Sequence, residues 1–221
     1  MIKEEIKFQD SCVFEGMTSI RAIIKSIDQG ISDRRIIKIL FDEAKMNKIA
    51  KEIGYFKAVS FKYGFSLEAT DASELEKITL GTSHGGIVAV CSERTIPKLS
   101  CDVELEKDGF YAMIEGIEDP YNFGYALRSL YATGCTGIIL PERNWMSAAG
   151  VVCRSSAGAS ELFPIYSSDS LFAADFFKGK NYKVVCADLR TDNVLGKCEL
   201  KMPILLVVGG EKRGISKKLL A

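Results

Sequence analysis

Apolar positions recur at helical spacing over residues 16–26 and on to Ile27, with Ile20, Ile23 and Ile24 on the same side, and Gly30 follows as a stop. A helix is expected there. Residues 35–41 are β-branched and apolar and predict a strand, and 43–53 return to helical periodicity with Gly54 as the end. Asp71 with Glu74 three residues on has the layout of a capping box that opens a short helix, and 86–91 read as one more strand. The pattern then breaks over 92–108, where Pro97 and mixed charge leave only a short alternation at 99–105. The domain organisation expected from this break is 1–95, a linker at 96–108, and 109–221. Beyond it, strands at 110–114, 136–140, 162–165, 182–188 and 203–208 alternate with helices at 122–133, 146–157 and 168–177. Alternating βα units predict an α/β fold built on a mostly parallel sheet covered on both faces.

Length and composition sharpen this picture. A chain of 221 residues that is 47% hydrophobic fits two modest cores better than one. The 29 basic and 29 acidic residues cancel, so no global field marks a polyanion partner. Such a partner would have to be met by local clusters such as Arg34, Arg35 and Lys38, or Arg143, Arg154, Lys212 and Arg213. The seven cysteines lack any C-x-x-C spacing, which predicts reduced, mostly buried thiols in a cytoplasmic protein and no metal site. Residues 1–10 hold no apolar targeting core, and no run approaches the roughly 18 apolar residues of a membrane span.

Two stretches carry chemistry. In DPYNFGYALRS, residues 119–129, Asp119 and Pro120 favour a turn, Asn122 is expected to cap the helix with its amide oxygen, and Gly124 permits close packing. Arg128 there is open to two readings: a solvated outer-face arginine, or one held for a carboxylate or phosphate. In LLVVGGEKRGIS, residues 205–216, an apolar strand runs into a glycine-rich loop that is either a tight turn or a phosphate nest with Ser216 at a helix N-cap. The loop lacks the spacings of nucleotide-binding loops. His84, the one histidine, is structural or touches RNA; Ser155 and Ser156 bind a phosphate or cap a helix; Tyr121, Phe123 and Tyr125 stack on a base or pack a core edge.

Taken together, N-x-G-x-x-x-R after one strand and V-G-G-E-x-x-G-I-S after a later one, with G-x-x-G-I-I-L-P at 134–141 and RSSAGA at 154–159 between them, resemble the SpoU (TrmH-like) RNA ribose methyltransferases of the SPOUT superfamily. FEG at 14–16 and GTSHGGIVA at 81–89 are similar to that family's small N-terminal domain, so the resemblance covers nearly the whole chain. It implies a SPOUT-type parallel sheet with a deep trefoil knot, preceded by a small α/β, ribosomal-protein-like domain that binds the RNA substrate. It further implies S-adenosylmethionine as methyl donor, ribosomal or transfer RNA as acceptor at a ribose 2′-hydroxyl, and a homodimer. Carried over residue by residue, Arg128 is the catalytic arginine, Asn122 shapes the pocket, and Glu211 is a carboxylate that orients or tunes an arginine. Gly209 and Gly210 form the loop beside the cofactor, with Ala187, Asp188 and Leu189 supplying further cofactor contacts. The family's third motif, I-P-M followed by S-L-N-V-S, has no counterpart before Ala221, so the sequence is expected to be part of a longer chain and the knot incomplete without that part.

The residue types suit the reaction. A ribose hydroxyl is a poor nucleophile, and arginine is too basic to serve readily as its base, so charge stabilisation and positioning are the roles expected of Arg128. Two other classes compete: a non-catalytic RNA-binding protein that keeps the fold, separated from the enzyme by S-adenosylmethionine binding, and a nucleotide-binding α/β protein, disfavoured by the loop spacing.

Overall fold

The computed structural model describes residues 12–80, 84–141, 148–191, 193–194 and 196–220. Expectations that fall on 1–10, on 81–83, on Arg143 and on the start of the 146–157 helix lie outside the described residues. The chain divides into two compact units, Met1–Thr95 with Asn144–Leu162, and Ile96–Arg143 with Phe163–Ala221.

The first unit is built on a four-stranded sheet in the order β1 (Val13–Glu15), β4 (Ile87–Cys91), β2 (Ile36–Asp42), β3 (Ser66–Thr70). Only the β2–β3 pair is parallel. Helix Gly16–Asp28 forms as its isoleucine spacing predicts and buries Ile20, Ile23 and Ile24 with Phe14, Ile39 and Phe56. The helix expected over 43–53 differs. Asp42 accepts from the Ala44 N–H at 3.0 Å and starts a single 3-10 turn, Glu43–Lys45, and the true helix is Ala50–Tyr63. Gly54 does not stop it, because it faces open space and costs only intrinsic propensity, about 1 kcal/mol. The stop is Gly64, at φ +69°, whose N–H donates to the Ser60 carbonyl at 2.7 Å. Asp71 caps helix Ala72–Ile78 by accepting from the Glu74 N–H at 3.0 Å, while the Glu74 carboxylate turns to Lys77 instead of closing the box.

Residues 144–162, expected in the second domain, pack with the first unit. Ala149 and Cys153 of helix Ala149–Ser155 enter its core, Arg154 pairs with Glu15, and Arg34 meets Glu161 at 3.1 Å. Gly158 is required: at φ +87°, a Cβ there would lie 2.5 Å from the Ala22 methyl. Nor is 96–108 a free linker. Leu99 is buried in the core of the second unit, its N–H donates to Ser167 O at 2.8 Å, and the Ser167 N–H donates to Pro97 O at 2.9 Å.

The second unit holds five strands, all parallel, in the order β7 (Ile165–Ser167), β6 (Gly137–Leu140), β5 (Phe110–Glu115), β9 (Ile204–Gly209), β8 (Lys183–Ala187). Four consecutive buried residues, Tyr111 to Ile114, are what a strand covered on both faces requires. Tyr111, Phe177 and Tyr182 form an aromatic cluster with centroid separations of 5.1 to 5.8 Å on one side of the sheet. The α/β class and parallel sheet expected from the alternation are therefore present.

All seven cysteines are thiols outside any disulfide. Three are buried, three half-buried and Cys101 is exposed, so the thiols are less buried than expected. Among the described residues no helix is long and apolar enough to cross a membrane.

Candidate active site

Parallel pairing brings three chain exits side by side at the carboxyl edge of the second sheet. Glu115 at the end of β5 lies opposite Gly209 at the end of β9, and Val208 lies opposite Ala187 at the end of β8. This edge is where open α/β sheets offer a ligand crevice.

From β5 the chain turns through Gly116 at φ +82° into helix Pro120–Ala132. The cap is Asp119, not Asn122: its Oδ1 accepts from the Asn122 N–H at 2.8 Å, and Pro120 occupies the first turn where no donor is needed. The Asn122 side chain is thereby released, and its Nδ2 donates to Glu211 Oε1 at 2.8 Å. Glu211 thus holds the asparagine of the first motif, not the arginine. Arg128 lies six residues further, about 9 Å along the axis, exposed and without a carboxylate partner among the described residues. Tyr121 and Tyr125 share its face at i, i+4 and i+7 and are about half exposed, at 51% and 55%, whereas Phe123 is buried in the core.

The loop after β9 folds back on itself, with Gly214 N–H donating to Gly210 O at 2.9 Å. Both leading glycines are dictated by backbone approach. A Cβ on Gly210 would sit 2.0 Å from the Gly116 carbonyl oxygen, and one on Gly209 would sit 2.3 Å from the Gly214 carbonyl carbon. Two residues that sequence reading did not single out complete the link. Glu115 Oε2 accepts from the Ser216 N–H at 2.9 Å, and Glu118 pairs with Lys212 at 3.2 Å and Arg213 at 3.8 Å. Their signal in the sequence is an acidic pair flanking Gly116 opposite a basic pair in the later loop, legible only once β5 and β9 are known to be neighbours. The Glu118 pairs are exposed and contribute at most about 1 kcal/mol each; they fix geometry more than stability.

The third exit carries Ala187, Asp188 and Leu189. Arg190 donates to Asp188 from Nε and Nη2, both at 2.9 Å, and these bonds hold the Asp188 carboxyl at about 2, below its ordinary 3.8. Leu189 is fully exposed, an apolar side chain left in water beside Ala187 at the crevice. A cavity of about 550 Å³ lined by Glu106, Asp108, Lys180, Tyr182 and Pro203 opens at the opposite, amino-terminal edge, and no motif residue lines it.

Other residues raised from the sequence have structural duties in the first unit. Arg34 is 2% exposed, ion-paired to Glu161 and 4.5 Å above the Phe14 ring, so it offers nothing to a polyanion. His84 is buried and its Nδ1 accepts from the Gly86 N–H at 3.1 Å. Ser155 donates to Val151 O at 2.8 Å and Ser156 to Cys153 O at 3.0 Å, both within their own helix.

A family model described as "SpoU rRNA Methylase family" matches residues 109–221. The 23S rRNA (guanosine-2′-O-)-methyltransferase RlmB of Shewanella oneidensis is 27% identical over 220 residues, covering 96% of this chain and 84% of that protein. The solved structure of an AdoMet-bound rRNA methyltransferase from Sinorhizobium meliloti superposes with a TM-score of 0.77 at 20% identity, over 99% of this chain and 81% of that one. The SpoU methyltransferase AviRb from Streptomyces viridochromogenes, in complex with AdoMet, gives 0.72 at 18% identity over 94% and 76%. These two structures share the fold with this chain.

Proposed function

Because the chain belongs to the SpoU rRNA methylase family, we propose that it transfers a methyl group from S-adenosylmethionine to a ribose 2′-hydroxyl of ribosomal or transfer RNA. The observation that carries this reading is the bond between Asn122 and Glu211, which joins the two family motifs at the crevice where a parallel sheet receives its ligand.

S-adenosylmethionine, when bound, supplies an electrophilic methyl group. Gly209, Gly210, Ala187, Asp188 and Leu189 are the residues that would hold it: the glycines by letting two loops close without side chains, Leu189 by covering apolar surface. Arg128 binds and orients the ribose through its forked donors and stabilises negative charge on the 2′-oxygen as its proton passes to solvent water. A guanidinium has only donors and offers no acceptor for that proton. Asn122, anchored by Glu211, fixes the start of the helix that carries Arg128, so the positioning cost is met before RNA arrives.

The first unit, with its own sheet and core, acts in this reading as the ribosomal-protein-like RNA-binding domain. The same family reading carries a homodimer, a cytoplasmic location and the trefoil-knotted SPOUT topology. The test is Arg128→Ala: transfer of tritiated methyl from S-adenosylmethionine to RNA is abolished while circular dichroism is unchanged. Near-normal turnover defeats the assignment, and absence of S-adenosylmethionine binding by calorimetry in the natural chain defeats the enzyme reading itself.

A further inference from the structure

Helix Ala50–Tyr63 buries Ile53 and Phe56 and turns its other side to water. On that side Phe61 is 98% exposed, and Tyr55 is exposed as well. One exposed apolar residue is ordinary, so Phe61 alone carries nothing; its surroundings do. At 100° per residue, Lys51, Gly54, Lys57, Ala58 and Phe61 fall within about 120° of one another, a smooth outward strip with an aromatic ring standing on it between ammonium groups. Lys51, Lys57 and the preceding Lys48 are exposed and have no carboxylate partner among the described residues. From the adjacent helix Gly16–Asp28, the Arg21 guanidinium stands 5.5 Å from the Tyr55 ring centre. Cations that do have acidic partners, Lys62 with Asp28 at 2.6 Å and Lys45 with Asp42 at 3.5 Å, are distinct from this set. Charge is segregated accordingly: residues 16–63 contain ten Lys and Arg against five Asp and Glu, net +5, in a chain whose total is zero.

We infer that this face of the first unit is a binding site for single-stranded RNA, with a base stacked on Phe61 and flanking phosphates held by Lys51, Lys57 and Arg21. It rests on the reading of the chain as an RNA-acting protein and adds where the strand lies. Every base has a π-face, so an open aromatic ring accepts any of them, and Lys57 is one turn, about 6 Å, from Phe61 along the axis. The positive charge disfavours a second copy of the same face, which would bring like charges together. An acidic protein would pair with the lysines and bury the ring by apolar contact alone, so it is separated from RNA by the leucine variant, which keeps that contact.

The experiment is anisotropy of a fluorescein-labelled single-stranded oligouridylate of roughly 12 nucleotides, within the ~4–16 spanned by single-strand sites, titrated with the full chain at several salt concentrations. Phe61→Trp binds as well as the natural chain, whereas Phe61→Leu and Phe61→Ala each bind about tenfold more weakly; leucine is as apolar, so its failure isolates stacking. Lys51→Gln and Lys57→Gln each flatten the slope of log affinity against log salt by about 0.7, and Phe61→Ala leaves that slope alone. The inference is overturned if the natural chain does not bind the oligonucleotide, if the leucine and alanine variants bind as it does, or if Phe61→Ala alters the sedimentation coefficient instead. Methyl transfer read on the same preparations separates the two readings. Transfer with no dependence of affinity or KM on Phe61 sinks the surface alone; Phe61-dependent binding without transfer sinks the enzyme reading alone.

Discussion

Asn122 Nδ2 and Glu211 Oε1 are 2.8 Å apart, so an amide from the first turn of the helix after β5 and a carboxylate from the loop after β9 act as one unit across 89 residues of sequence. The pairing can be inverted. Asn122→Asp sets two carboxylates against each other and Glu211→Ala removes the acceptor, and both are expected to lower methyl transfer. The double variant Asn122→Asp with Glu211→Gln restores a donor and an acceptor with the roles exchanged. It is expected to recover activity and the bond's contribution of about 1 kcal/mol, read as a coupling energy from transfer rates and urea unfolding. No recovery in the double variant means the contact is incidental.

Gly210→Ala is expected to damage the site more than its one methyl group suggests. The new Cβ would meet the Gly116 carbonyl at 2.0 Å, and backbone cannot yield as a side chain can. Overpacking of this kind costs about 1–3 kcal/mol, and the two motif loops should separate, with loss of S-adenosylmethionine affinity by calorimetry. Gly179→Ala, where φ is likewise not positive and the Cβ would meet nothing within 4 Å, is the control for adding a methyl group without the clash.

In the first unit, Glu161→Ala leaves the Arg34 guanidinium buried without its partner. Breaking a buried pair from one side costs about 3–5 kcal/mol, so urea unfolding should shift to a markedly lower midpoint. Arg34→Met with Glu161→Leu, which removes both charges, is expected to regain much of that loss. An unchanged midpoint in the single variant contradicts the burial of the pair.

Asp188 gives a pH-dependent readout with a definite sign. Its folded value is depressed to about 2 by the bonds from Arg190, so the pair's contribution is complete above the ordinary 3.8 and is lost as pH falls through about 2. Carbon-detected NMR titration should place the Asp188 midpoint near 2 in the natural chain and higher in Arg190→Ala, which loses the guanidinium bonds but keeps the backbone N–H donor at residue 190. Identical midpoints would mean the bonds do not form in solution.

How much of this was legible beforehand varied with the kind of signal. The two motifs, the strand before each and the parallel sheet could be read, because apolar runs between glycines survive in one dimension. The Asn122–Glu211 bond could not, since it depends on β5 and β9 being neighbours although β6, β7 and β8 lie between them in sequence. In sequence Asn122 reads as the helix cap because Asn and Asp compete for that role, and only geometry gives it to Asp119. Arg34 reads as part of a basic surface cluster beside Arg35 and Lys38; its burial depends on Glu161, 127 residues later. Gly54 reads as a helix end because a glycine facing solvent and a glycine at positive φ are the same letter. Strand Ser66–Thr70 escaped because an edge strand that is half in water has no apolar run to announce it.

The segment 144–162 has an implication for how this chain can be taken apart. The peptide leaves the second unit after β6, contributes Ala149, Cys153, Arg154 and Glu161 to the first, and returns to supply β7, the strand that pairs with β6. The first unit is therefore closed by chain that is flanked, on either side in sequence, by residues of the second. A protease that cuts once between residues 95 and 96 would leave Ala149, Cys153 and Glu161 still packed in the first unit, and a fragment made of residues 1–95 alone would lack the acid that neutralises its own buried arginine.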